Sequence, residues 1–524
     1  MSRRVVLLVA ATVSCTRPNP YFALSEGDPA PVDDDDDSPD DGEAPSDSGG
    51  PTTGVTTGSA STDDPDHTGS TTSTTSEGAC TDDCPAPADD CEDALECAGK
   101  LEWLRRSGDA AIQRATDVAV LSDGSVVVVG EFTGELGTAP DVIVAPADPL
   151  AGDSFVLRLD PAGEPLWIRH FAGAGLQRIS AVVALSDDRI AVAGSFTGQL
   201  LLDPHQLDGL GSRPAFVAVL EPDGATAILH PIGGDDVEAL DLARTPADDL
   251  VVVGDHDGDI VIAGDKTSSL DRDLFAIGLD PVAGPTWSWL PLAPADQTAH
   301  AVAVAPTGAV LLAGELESGL QIADINLLGQ GRDGFLAGLD VEGVPQWGAQ
   351  LGGPGDDRVR ALAAAPDGSF VVAGIHGGGL DLGDGPLPTP AAGELGGYLA
   401  AIDPDGDLLW ARSGFILGAE PPGLAVDPTG RVLAYLPLGA QPIDLGSGPL
   451  GDAPGALLVK LTSGGNFVWG RHLVGALAPA GPGLGVGPAG EIAIAGAFAS
   501  ELTHDPLQVV SAGALDVYAG RFLP

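Results

Sequence analysis

A glycine that returns at near-constant intervals constrains this chain more than any other feature. It stands at Gly130, Gly194, Gly254, Gly314, Gly374 and Gly496. The first four gaps are 64, 60, 60 and 60 residues; the last is 122, twice 61, so another copy lies inside it. A period of this size marks a repeat architecture. The copy between Gly374 and Gly496 carries Tyr435-Leu436 where glycine is expected, and it is the most divergent of the series.

One unit shows the internal order. Residues 117–121 alternate as a strand, Ser122-Asp123-Gly124 turn, and residues 126–130 form a second strand. A long polar, Gly- and Pro-rich loop is expected from there to about Gly152. Residues 154–159 give a third strand, Asp160-Pro161-Ala162-Gly163 a turn, and residues 166–171 a fourth. The first turn recurs as Thr307-Gly308, Asp367-Gly368, Thr429-Gly430 and Ala489-Gly490, each after a proline. Glycine supplies the positive φ that such tight turns need. The fourth strand carries an aromatic slot seven residues after its turn begins, in the pairs Asp160/Trp167, Asp280/Trp287, Asp340/Trp347, Asp403/Trp410 and Thr462/Trp469. In one unit the pair is Glu221/Ile228. We read these tryptophans as packing between units rather than as ligand platforms.

The two ends set the count. An orphan fourth strand, residues 101–107 with Trp103, precedes the first complete unit, and the last unit stops after a third strand at residues 516–522. Pairing the orphan with that strand would remove both open sheet edges. The expectation is an all-β fold over residues 100–524: a seven-bladed β-propeller of four-stranded blades, its ring closed by residues 101–107.

Residues 352–410 show the whole unit as GGPGDD, PDGSFVVAG and YLAAIDPDGDLLW. This pattern resembles the seven-bladed propeller repeat called SBBP, found in exported bacterial proteins. The resemblance spans about four-fifths of the chain, implies architecture and export, and implies no particular activity. The Asp-x-x-Gly-x-x-x-Trp spacing also resembles the tryptophan-docking motif of quinoprotein propellers. Those have eight blades, and the dehydrogenases among them a vicinal cysteine pair; here no cysteine lies beyond Cys97. An eight-bladed lipoprotein that helps assemble outer-membrane proteins shares the motif, which implies that a scaffold role suits such a ring.

Three segments precede the repeats. Residues 1–15 combine Arg3-Arg4, an apolar run and a small-residue boundary at Ser14-Cys15, the layout of a secretory signal. The run is too short to span a bilayer of ~30 Å as a helix. The arrangement resembles a bacterial lipoprotein signal and implies lipidation of Cys15; Thr12 stands where that family favours leucine, and plain cleavage is the alternative. Residues 16–78 are of low complexity, with the acidic run at 33–37, and read as a disordered tether. Residues 79–99 hold Cys80, Cys84, Cys91 and Cys97, spaced C-x3-C-x6-C-x5-C. In an exported chain these read as two disulfides with three possible pairings, with a metal site as the alternative.

Lys and Arg total 23 against 76 Asp and Glu, a formal charge of −53. That excludes nucleic acid as a natural partner, because phosphates need Lys and Arg. Membrane contact is expected only through the lipid anchor. Binding is expected on the face carrying the variable connections, the longest at residues 131–153, 195–214 and 375–396. Near the expected channel lie Asp235, Asp236, Asp356 and Asp357, with Asp109 in an equivalent place. Such pairs can hold Ca²⁺ through carboxylate oxygens, the other reading being turns or backbone caps. Asp255-x-Asp257-Gly258-Asp259 and Asp403-x-Asp405-Gly406-Asp407 resemble calcium loops but lack the closing glutamate. The nine histidines show no H-E-x-x-H, and G-x-S-x-G is absent. The expectation is thus a monomeric, surface-anchored, non-catalytic propeller that binds a protein or a glycan, without a required cofactor. The alternative is an exported carbohydrate-active lyase or hydrolase with carboxylates drawn from several blades. The expected location is the outer membrane or cell surface, otherwise periplasmic or secreted.

Overall fold

The computed structural model describes residues 98–524, apart from 139–140, 147–150, 210–211, 330, 384, 392–393, 418–421, 439–440 and 479–482. Cys15, the tether and Cys80, Cys84, Cys91 and Cys97 lie outside the described residues. All regular elements described are β-strands, arranged in four-stranded antiparallel units. In the first unit Gln113–Val120 pairs with Val126–Phe132, that with Asp153–Leu159, and that with Pro165–Phe171. The first strand begins four residues before the expected start. Leu101–Ser107 pairs antiparallel with Asp516–Phe522, Leu101 opposite Phe522 and Ser107 opposite Val517.

The recurring glycine has a steric cause. The first strand carries a bulge, seen as a register shift between Ala115 and Asp117 and again between Ala299 and Ala301. The bulge pushes a backbone carbonyl toward the second strand. A Cβ on Gly130 would lie 1.9 Å from Arg114 O, and one on Gly314 1.8 Å from Thr298 O. In the divergent unit the first strand is the short Gly423–Val426, and Gly423 itself stands opposite Tyr435. The glycine has moved to the partner strand, which makes room for a buried tyrosine.

The core is divided between neighbours. Each large cluster of buried side chains draws on two consecutive units, as where Phe171, Val127 and Val129 meet Ile190, Phe196 and Phe216. One cluster joins Ala493, Ala495 and Val517 to Val118, Val128 and Phe155. Along the inner edge Gln113–Val120 packs on Gln177–Ala184, and Gln297–Val304 packs on Arg358–Ala364. Gly423–Val426 packs on Gly483–Val486, which packs in turn on Gln113–Val120. The connections between second and third strands are not the open loops expected. Gly134–Thr138 pairs with Asp141–Ala145, Gln199–Leu202 with His205–Asp208, and Gly319–Ile322 with Ile325–Leu328. Between the strands Phe370–His376 and Gly396–Ile402 the described residues show only an isolated bridge, Asp381 to Pro386. These hairpins bury Leu200, Leu202, Leu320 and Ile322 and pack on fourth strands, so alternating apolar residues close the rim.

Tryptophans tie each unit to the next. Trp103, Trp167, Trp347 and Trp410 donate their Nε1–H to Pro161 O, Pro222 O, Pro404 O and Ser463 O at 2.7–3.0 Å. Each ring lies over the positive-φ glycine of the next third-to-fourth turn; a Cβ on Gly465 would fall 2.6 Å from Trp410. Trp469 covers Gly99 in the same way, although Gly99 precedes the N-terminal strand Leu101–Ser107. Arg105, Arg412 and Arg471 add cations 6.0, 5.8 and 5.3 Å from the Trp103, Trp410 and Trp469 rings. Each Nε of these arginines donates to the same turn's glycine carbonyl. In the unit where Ile228 takes the aromatic slot, the tie comes from His230 instead, with Nε2 2.9 Å from Pro281 O.

Candidate functional site at the inner-strand mouth

First strands begin, and second strands end, on the face that carries the hairpins. The bulge positions of the inner strands are Thr116, Ser180, Leu240, His300 and Arg360. A further slot directly precedes or adjoins the third strand and holds Arg213, Arg272 and Arg332 in three successive units, 59 and 60 residues apart. These slots bring charged side chains from four consecutive units to one sector.

Glu315 is its centre. Arg358 Nε lies 3.1 Å and Arg360 Nη2 3.5 Å from Glu315 Oε2, and Arg332 Nη1 lies 3.8 Å from Oε1. Arg332 also pairs with Glu317 at 3.1 Å, and Arg358 with Asp356 at 3.6 Å. Arg360 Nη1 is 3.0 Å from His300 Nε2, so Nε2 accepts and the imidazole is neutral with its proton on Nδ1. Burial and the nearby Arg360 cation hold the His300 pKa below its usual value, against the pull of Glu315. Burial would raise the Glu315 pKa, but the Arg360 and Arg358 cations beside it hold it below its ordinary value.

The adjoining half of the sector is built on Arg213 and Arg272. Arg213 Nε lies 2.5 Å from Asp236 Oδ1, and its Nη1 pairs with Glu238. Arg272 pairs with Asp255 at 2.6 Å and reaches Asp236 at 3.8 Å. The acidic residues singled out from sequence therefore have protein partners. Asp235 accepts the Asp259 N–H at 3.1 Å, Asp236 lies between two guanidiniums, and Asp356 faces Arg358. Asp357 accepts the Gly353 and Gly377 N–H groups, and Asp109 those of Ala111 and Glu135. Asp403 caps its own turn through the Asp405 and Asp407 N–H groups. Among the described residues no three His, Cys, Asp or Glu side chains are grouped to hold a metal ion.

Sequence reasoning missed His300, Glu315 and the arginines. The repeat itself held the signal, since Arg213, Arg272 and Arg332 fall in register once units are aligned. A groove of about 810 Å³ lies elsewhere, lined by Arg412, Asp444, Ser447 and Phe467, and does not include the mouth residues.

Deeper along the inner strands sit Asp117 and Asp241. Each carboxylate uses both oxygens: Asp117 accepts the Val118 and Val182 N–H groups, Asp241 those of Leu242 and Val302. Burial raises both pKa values to about 7, and the Asp241 charge adds to the shift on Asp117. A folded pKa above the ordinary carboxylate value gives stability that is lost as pH rises through about 7. His256, His300, His376 and His504 have folded values below their ordinary one, chiefly through burial, so their stability is lost as pH falls through the unfolded value of about 6.5. Asp255, Asp273 and Asp357, raised to about 6, act in the same sense as Asp117 and Asp241, and the histidines oppose them as pH falls. Relative to the unaltered chain, the thermal midpoint of Asp117→Asn, Asp241→Asn should therefore drop steadily as pH falls from 8 to 5, which calorimetry in buffers of matched ionic strength will test.

No family model and no curated protein matches the chain. Among solved structures it is similar to the hydrazine synthase of Kuenenia stuttgartiensis, at 11% identity and a TM-score of 0.32, over 62% of this chain and 76% of that one. It is similar to a europium-containing methanol dehydrogenase, at 9% identity and TM-score 0.34, over 80% and 93%. An apocarotenoid oxygenase of Synechocystis gives 12% and 0.36, over 79% and 92%. Superpositions of this order carry no functional argument. The class that the strand pairing defines is an all-β protein of propeller-like build.

Proposed function

We propose that residues 100–524 form a seven-bladed propeller of the SBBP type, closed by Leu101–Ser107, that binds its ligand non-catalytically at the inner-strand mouth. Closure is supported by the pairing of Leu101–Ser107 with Asp516–Phe522, by Trp469 over Gly99, and by the packing of Gly483–Val486 on Gln113–Val120. The observation that carries the binding reading is the gathering of Arg213, Arg272, Arg332, Arg358 and Arg360 in one sector of so acidic a chain. Partly exposed guanidiniums held in fixed geometry suit a protein or glycan ligand. The ring itself is then a monomeric scaffold.

The test is a glycan array and a panel of purified exported proteins probed with the full-length chain. The combined variant Arg213→Gln, Arg272→Gln, Arg332→Gln should bind at least about tenfold more weakly. No ligand for the unaltered protein, or equal binding by the variant, overturns the reading.

A second reading has its own observation: a neutral His300 beside Glu315 and Arg360 is an arrangement able to serve an exported lyase or hydrolase. Release of shortened glycan by the full-length chain, abolished in His300→Ala, would favour it over plain binding. We further propose export and anchoring through Cys15 at the outer membrane or cell surface, with disulfides among Cys80, Cys84, Cys91 and Cys97. Incorporation of a fatty-acid label should vanish in Cys15→Ser, and persistence of the label would refute anchoring there. Ca²⁺ is kept only as an accessory ligand of the acidic mouth.

A further inference from the structure

Resting on the binding reading above, we propose that Arg360 and His300 form a point inside the mouth that takes one carboxylate group, from a small organic acid or from a peptide C-terminus. The argument starts from unequal neutralisation. Three guanidiniums share Glu315, but Arg332 has Glu317 as a second partner and Arg358 has Asp356. Arg360 has no second carboxylate among the described residues. Its nearer partner is His300, which carries no charge because its Nε2 lone pair faces the guanidinium.

A guanidinium has five N–H donors in a planar fork, and Arg360 spends two of them, on His300 and on Glu315. The others meet no protein acceptor among the described residues. A cation so placed is left under-compensated, and its surroundings register this: burial together with Arg358 and Arg332 lowers its pKa despite Glu315. The side chains of Arg360 and His300 remain 24% and 19% exposed, so the position is confined but reachable. Arg360 stands at the bulge of the inner strand Arg358–Ala364, the register shift falling between Val359 and Ala361.

The chemistry selects a carboxylate. Its two oxygens match two parallel N–H groups of the fork. A phosphate or a polyanion would bring more negative charge toward Glu315, Glu317 and Asp356 than a single guanidinium can offset, in a chain already at −53. A single carboxylate adds one negative charge where one positive charge lacks its own partner.

The full-length protein, titrated calorimetrically with succinate, with N-acetyl-glycyl-glycine and with the amide of that peptide, tests this. Binding of either carboxylate and not of the amide is expected, and the contrast between the two carboxylates tells a small acid from a chain terminus. Arg360→Lys keeps the charge but loses the fork, and should weaken binding at least about tenfold without moving the thermal midpoint. A second readout needs no variant: succinate should slow phenylglyoxal modification of Arg360, mapped by mass spectrometry. No carboxylate binding, equal binding by Arg360→Lys, or unprotected Arg360 overturns the proposal. If the array ligand still binds through Arg213, Arg272 and Arg332 in that case, only the carboxylate point falls. If it does not, the broader reading falls too.

Discussion

Asp427→Asn will lower the unfolding free energy by about 3–5 kcal/mol, as expected when a buried ion pair loses one partner. Lys460 is 2% exposed, and its Nζ lies 2.9 Å from Asp427 Oδ2. Burial alone would raise the Asp427 pKa; the Thr429 hydroxyl, the Arg431 N–H and the Lys460 ammonium outweigh it and hold the carboxyl below its ordinary value. Oδ1 accepts the Thr429 and Arg431 N–H groups at 2.8 and 3.0 Å. Asparagine preserves that turn cap through its oxygen but turns an NH₂ toward the ammonium, leaving the charge buried and uncompensated. Adding Lys460→Met should recover most of the loss, since apolar replacement of both charges is close to neutral. Urea denaturation of both variants measures this, and an unrescued double variant would place the cost in the turn instead.

Gly314→Ala should cost about 3 kcal/mol or more, because overpacking against backbone leaves no side chain free to yield. Its Cβ would sit 1.8 Å from Thr298 O. Relief requires undoing the bulge between Ala299 and Ala301, and that bulge sets His300 in the mouth. The same variant should therefore weaken ligand binding as well as the fold. Gly464→Ala is the control: its Cβ would have nothing nearer than 3.9 Å, so a shift within about 0.5 kcal/mol is expected. Equal losses in the two would refute the steric account.

These predictions also mark what could be read in advance. The strand order of a unit was legible because turn glycines and alternating apolar residues act over a few neighbours. Tryptophan packing between units was legible from the spacing that puts Trp167 seven residues after Asp160. His230 was not, because its role is visible only when Pro281 of the next unit stands 2.9 Å away. The connections at 131–153 and 195–214 look like loops in sequence because Gly, Pro and Asp interrupt their short apolar runs, such as residues 142–144 and 200–202. The surface that buries Leu200 and Leu202 comes from a neighbouring unit, whose fourth strand Pro165–Phe171 packs on their hairpin.

The sequence by itself determined an all-β chain of four-stranded units and the places where backbone must bend tightly. Those features depend on local φ and on side-chain alternation. Only the tertiary structure decided which charges meet. Arg332 and Arg358 lie 17 and 43 residues from Glu315, and their convergence depends on how two neighbouring units pack side by side. The period that identified the units recurs from copy to copy at 60 to 64 residues. The mouth is set by where the copies differ, and a difference between copies gains chemical meaning only once the copies stand beside one another.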